Sequence, residues 1–243
     1  MGLIRSFLGA VVFYTIIPVP TTWQPDFYRI ARWIPLLGIF LGLLLSLADR
    51  GLTLAGMPAF TRAVVVLCLW VSITGGLHLD GVSDTADGLA VTDGEKRLQV
   101  MADSVTGAFG VMATVLLLLL KVSTLTDLQN NYFMICSALG WGRWGQVMAI
   151  ALYPYLKPAG KGAFHKENLQ TPGDYLLGLV ILMLWTAALP NLHGLAVGAI
   201  GAGVALGVGY WFYRRLGGHT GDTYGAVVEW TEAISLCLFT LLG

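Results

Sequence analysis

Seven apolar runs, each at or near the length that crosses a bilayer, dominate this 243-residue sequence. They cover residues 33–48, 60–79, 106–126, 133–153, 175–190, 194–213 and 226–242. A spanning helix needs about 17–25 mostly apolar residues. The chain is 56% hydrophobic and 12% charged, with a mean hydropathy of +0.72; a soluble domain is about 45–50% apolar and about 25% charged. Backbone polar groups in hydrocarbon must be satisfied within the protein, which leaves helices or a closed barrel. The runs are continuous rather than alternating, and that selects helices. The expectation is an all-α polytopic transmembrane bundle of about six to seven spans, one domain over residues 1–243.

The formal net charge is zero, so nothing attracts the chain to nucleic acid in bulk. Cys68, Cys136 and Cys237 lie far apart within apolar runs, as buried thiols do, and not at disulfide or zinc spacing. Residues 1–17 carry one charge, Arg5, and end at Pro18-Val19-Pro20. They lack the small-residue cleavage site of a signal peptide and match the myristoylation pattern only loosely through Gly2 and Ser6. Their shortness fits an interfacial or re-entrant helix. With these spans, one side of the membrane holds Arg5, Arg29, Arg32, Lys96, Arg97, Lys157, Lys161, Lys166, Arg214 and Arg215, and the other holds Arg50, Arg62 and Lys121. Ten against three places the first side in the cytoplasm, for a plasma-membrane protein.

Between the second and third runs lies Gly75–Gly110, which holds six of the fourteen acidic residues. Asp80, Asp84 and Asp87 are spaced i, i+4, i+7, so a helix puts all three on one face. At an effective dielectric of about 20, two carboxylates about 5 Å apart repel by about 3 kcal/mol. A divalent cation among them relieves that repulsion, and magnesium readily bridges carboxylates to substrate phosphates. Asp103 follows sixteen residues after Asp87 and joins the candidate metal set. Asp93 and Glu95, beside Gly94, Lys96 and Arg97, read as an exposed helix cap. His78 points off the carboxylate face and serves either structure or the site.

Further along, Gly217-Gly218-His219-Thr220-Gly221-Asp222-Thr223-Tyr224-Gly225 leads into the last run. Such glycines free backbone N–H groups to cradle an anion at a helix N-terminus, which makes Gly218, Thr220 and Gly221 candidate substrate contacts. Asp222 either caps that helix or joins the site. Glu229 and Glu232 follow on the same face, and carboxylates inside a span are costly and mark function. In the basic loop, Lys157 and Lys161 suit phosphate as point charges, whereas Lys166 reads as a positive-inside anchor. Arg143, within the fourth run and bracketed by glycines and tryptophans, should meet a carboxylate or a phosphate.

These stretches resemble the adenosylcobinamide-GDP ribazoletransferase family, also called cobalamin-5′-phosphate synthases. The resemblance rests on GGLHLDGVSDTADG at 75–88, MADSVTGAFG at 101–110 and GGHTGDTYGAVVE at 217–229, with Ile17-Pro18-Val19-Pro20 and the Lys157–Phe164 pattern in support. Val82 and Ser83 stand where the family usually has leucine and alanine, and Ser104 and Val105 follow Asp103 where a basic residue is common. The resemblance implies a magnesium-dependent membrane enzyme of late cobamide assembly. It would join α-ribazole, or its 5′-phosphate, to adenosylcobinamide-GDP and release GMP. The partners expected are these small molecules and membrane lipid, with no nucleic acid; a homo-oligomer is left open. Asp80, Asp84, Asp87 and Asp103 would hold magnesium. Asp84, Asp87, Asp222 and Glu229 would serve the chemistry, one carboxylate accepting the proton of the attacking hydroxyl. His78, Arg143, Lys157, Lys161, Gly218, Thr220, Gly221 and Glu232 would contact substrate.

Two other readings compete. Asp84-x-x-Asp87-Gly88 is similar to the opening of the CDP-alcohol phosphotransferase motif, but Leu89-Ala90-Val91 follows where that motif continues with Ala-Arg. A cation-coupled transporter would show inverted repeats and interrupted helices in matching halves. The single dense acidic cluster at the end of a run speaks for an enzyme.

Overall fold

The computed structural model describes residues 2–103, 105–128, 131–157, 160–170, 172–188 and 192–242, and of Lys161 and Leu192 the backbone alone. It is an all-α bundle. Among the described residues eleven α-helices follow one another: α1 Gly2–Tyr14, α2 Ile34–Leu54, α3 Ala59–Ile73, α4 Leu77–Ala90, α5 Gly94–Val100, α6 Ala108–Asp127, α7 Tyr132–Leu152, α8 Lys161–Asn168, α9 Gly173–Ala187, α10 Leu192–Leu216 and α11 Gly221–Phe239. Among the described residues, four stretches are long and apolar enough to cross a membrane: Ile30–Leu54, Ala108–Asp127, His193–Leu216 and Gly221–Leu242. The pair α3 and α4 makes a fifth if it counts as one broken span. The expected fourth run is α7, of 21 residues, which carries Arg143 and Gln146; the fifth is α9, of 15 residues, short for a span.

The second run departs from expectation in an instructive way. It does not continue through residue 79. α3 stops at Ile73, and α4 leaves at 90° to it. Gly75 and Gly76 make the corner, with φ of +62° and +68°, a region open to glycine at little cost. The acidic stretch is therefore a helix packed across α6 and α11 and not a loop hanging from a span end. Asp93 does cap α5, its carboxylate accepting the Glu95 N–H.

Helix α7 is the hub. It packs along α2, α11, α10 and α9, and almost every residue from Met134 to Ile150 is buried. Small residues allow this closeness. A Cβ on Gly38 would stand 2.4 Å from the Leu139 carbonyl oxygen, and one on Gly42 would stand 2.6 Å from Cys136 Cα. At the end of α7, Lys166 donates to the carbonyls of Ile150, Ala151 and Tyr153, closing the acceptors a helix leaves open.

Besides the buried pair of Arg62 and Asp49, charge inside the bundle is balanced in a larger cluster. Lys121 Nζ lies 2.6 Å from Glu229 Oε2 and 2.7 Å from Glu232 Oε2. Arg143 donates to Glu232 Oε1 and to the Leu139 carbonyl. All four are at most 5% exposed, and two cations meet two anions. Lys121 is thus not an external loop residue, as the loop count had it; it sits inside α6 and stacks 4.0 Å over Trp70. With Lys121 removed the other side keeps only Arg50 and Arg62, three less one, so the asymmetry behind the topology grows.

Candidate active site

The site forms where α4, α7, α8, α11 and the end of α1 meet. Two local devices assemble it. The chain after α7 runs beside the Gly-rich turn: Leu156 N–H donates to the His219 carbonyl at 2.8 Å, and His219 N–H donates to Pro154 at 2.9 Å. Gly218 permits this, because a Cβ there would lie 2.7 Å from the Pro154 oxygen. The buried His219 ring pairs with Thr223 Oγ1 and the Gly209 carbonyl, so it is a structural strut, and burial pushes its pKa down to about 4. The second device is the start of α11. Thr220 is its N-cap, and Thr220 and Thr223 exchange side-chain and backbone hydrogen bonds as a capping box. Asp222 is therefore not the cap. It stands in the first turn, where the helix dipole favours an anion.

A cavity of about 260 Å³ opens between these elements. Its rim is charged and polar. Asp222 Oδ2 accepts from Lys157 Nζ at 2.8 Å and from the Thr220 hydroxyl at 3.2 Å. Asp80 faces the cavity one turn before Asp84. Asp84 sits close enough to Asp80, Asp222, Lys157 and Asp87 to feel their charges. The N-termini of α8 and α11 also meet here, through Gly160, Gly162 and Gly221. Gly81 makes the contact between α4 and α11 close, since a Cβ on it would stand 2.4 Å from the Asp222 carbonyl oxygen.

The floor is different in kind. His78, Gln146, His165 and Tyr224 line it, and each is at most 4% exposed. Both ring nitrogens of His78, Nδ1 of His165, Oε1 of Gln146 and the Tyr224 hydroxyl have no hydrogen-bond partner among the described residues. Tyr14 closes the wall, 3.0 Å from His165 Nε2. Burial pushes the His165 pKa down to about 4, so that ring is neutral near pH 7.

The expected residues divide accordingly. Asp80, Asp222, Lys157, Gly221 and His78 are gathered in the lining of this cavity, with Asp84 beside them through its charge interactions with Asp80, Asp222 and Lys157 and Thr220 through its hydrogen bond to Asp222. The others are not. Asp87 is buried, and its carboxylate accepts the N–H groups of Gly107 at 2.6 Å and Gly110 at 2.8 Å; it anchors the start of α6. Asp103 is exposed and accepts the Val105 N–H within its own turn. Glu229, Glu232 and Arg143 are consumed by the buried ion cluster with Lys121 and do not line the cavity. Gly218 acts through the close approach just described. The Lys161 side chain lies outside the described residues. Sequence reasoning missed Tyr14, Gln146, His165 and Tyr224. A glutamine inside an apolar helix and a histidine inside the basic loop were the available signals.

Among the described residues, no three His, Cys, Asp or Glu side chains stand at metal-ligand spacing. The rim nevertheless fits magnesium, which keeps several waters and is commonly held by one or two carboxylates together with substrate phosphates. Asp80 and Asp84 offer such oxygens with no side-chain hydrogen bond to break among the described residues, and Asp222 lines the same cavity.

Comparison with known proteins points to one family. A family model described as cobalamin-5-phosphate synthase matches residues 6–240. A protein of Trichormus variabilis named adenosylcobinamide-GDP ribazoletransferase is 50% identical, over 99% of this chain and 98% of its own. Proteins of that name from Synechocystis and Synechococcus elongatus are 51% and 45% identical, each over 96% of this chain and over 94% and 95% of their own. No solved structure matches the chain.

Proposed function

The chain belongs to the cobalamin-5-phosphate synthase family of cobamide-forming enzymes, and from that premise we propose that it joins α-ribazole, or its 5′-phosphate, to adenosylcobinamide-GDP with release of GMP. The observation that carries the reading is the meeting, at one rim, of Asp80, Asp84, Asp222, Lys157 and two helix N-termini. That is an arrangement for holding a diphosphate and charging its transfer.

The reaction needs no protein nucleophile. The acceptor's hydroxyl oxygen attacks the phosphorus next to the corrinoid arm; the bond from that phosphorus to the bridging oxygen breaks, and GMP leaves with that oxygen. Lys157 and the N–H groups at the starts of α8 and α11 hold the diphosphate. Asp222, released from Lys157 as that lysine turns to phosphate, takes the acceptor's proton. Asp80 and Asp84 would hold magnesium, which supplies positive charge against the phosphates when bound. Positioning and electrostatics account for most of such a transfer. The bundle sits in the bacterial inner membrane with this rim facing the cytoplasm, as the lysine and arginine asymmetry supports.

The test is product formation by purified protein with magnesium and both substrates. Asp84→Asn should lower turnover by about a hundredfold or more, the scale of losing a group that stabilises transition-state charge, while the thermal midpoint stays put. Near-normal turnover in Asp84→Asn would overturn the reading.

A further inference from the structure

The floor of the cavity presents a different chemistry from its rim. Tyr224, Gln146, His165 and His78 come from four helices, α11, α7, α8 and α4; each lines the same cavity and carries a buried polar atom without a partner among the described residues. A buried polar group without a partner is costly, and native proteins rarely keep one without reason. Four around a single cavity are best explained by a ligand that supplies the missing partners. Resting on the transferase reading above, we infer that this floor recognises the uncharged riboside of the acceptor, not the phosphates and not the corrinoid.

Three observations lead there. First, no charged side chain lines the floor among the described residues, and the buried His165 ring is neutral near pH 7. It suits hydroxyl and amine donors and does not suit an anion. A group titrating near 4 is also a poor general base at neutral pH, so its task is binding. Second, about 260 Å³ lies below the usual range of about 300–1,000 Å³ for small-molecule sites. It admits a nucleoside-sized group and leaves a macrocycle outside. Third, the competing occupant is the guanosine of the leaving nucleotide. Guanine's adjacent N–H donors are best met by a carboxylate, and the floor has none. A riboside seated on the floor also puts its sugar at the rim, where Asp222 takes the hydroxyl proton.

The test uses the full-length, detergent-purified protein and two variants, Tyr224→Phe and His165→Asn. The Tyr224 hydroxyl has no partner to lose among the described residues, so Tyr224→Phe should keep the wild-type thermal midpoint. Titration calorimetry with α-ribazole should show binding about tenfold weaker in each variant, the usual scale for one lost hydrogen bond. In steady-state assays the KM for α-ribazole should rise by a similar factor, with the KM for adenosylcobinamide-GDP unchanged. Unaltered α-ribazole binding in both variants, or a KM rise confined to adenosylcobinamide-GDP, would overturn the inference. A wild type that binds α-ribazole but forms no product would instead overturn the transferase reading and leave the floor assignment standing.

Discussion

Asp84 and Asp87 are nearly a turn apart on α4 and have opposite tasks. Asp87 is buried and spends both oxygens on the N–H groups of Gly107 and Gly110, so it holds the start of α6 in place. Asp84 makes no such bond among the described residues and interacts instead with the charges of Asp80, Asp222 and Lys157. Asp87→Asn should therefore act on stability first. A charge-assisted cap replaced by a neutral, half-donor amide costs about 1–3 kcal/mol, read as a lower thermal midpoint in detergent. An unchanged midpoint with lost activity would return Asp87 to the metal site. The same division runs through the other acidic residues. Glu229 and Glu232 were expected to be functional because carboxylates within a span are costly. Here the cost is met by Lys121 and Arg143, and breaking such a buried pair typically costs about 3–5 kcal/mol.

At the scale of elements, glycine sets how closely helices approach. Gly38 and Gly42 let α2 lie directly on the α7 backbone, and their four-residue spacing was readable from the sequence. Gly38→Leu would drive a side chain into the Leu139 carbonyl and the Arg143 stem. Overpacking of this kind costs about 1–3 kcal/mol; the expected outcome is a lower thermal midpoint, with a wild-type midpoint counting against direct helix contact. The corner at Gly75 and Gly76 matters more for function. It swings α4 across the bundle, so that Asp80 and Asp84 meet Asp222 instead of projecting from a span end.

For the whole molecule, the arrangement of sides is the open test. In a chain whose cysteines are otherwise replaced by alanine, Lys96→Cys places a thiol on exposed α5, and Arg50→Cys places one at the opposite end of the bundle. A membrane-impermeant maleimide should label the first only in inverted vesicles and the second only in intact cells. The reverse pattern would put the rim outside the cell and sink the cytoplasmic orientation.

How much of this was legible beforehand depends on the range of the forces involved. Apolar runs, the i, i+4, i+7 aspartates and the Gly-rich turn are local patterns, and the first is imposed by the bilayer acting on each segment separately. Hence the all-α membrane class and the helical face of Asp80 and Asp84 followed from the sequence alone. Which carboxylates reach the cavity did not. Asp87 and Glu229 look like Asp84 and Asp222 in the sequence, and only packing reveals that two N–H groups and a buried lysine already occupy them. The polar floor was equally hidden, because Gln146, His165 and Tyr224 are distant in the chain and become a site only when α7, α8 and α11 converge. Hydropathy acts residue by residue and can be read in order; whether a polar group is spent or free depends on its partners, and those come together only in the tertiary fold.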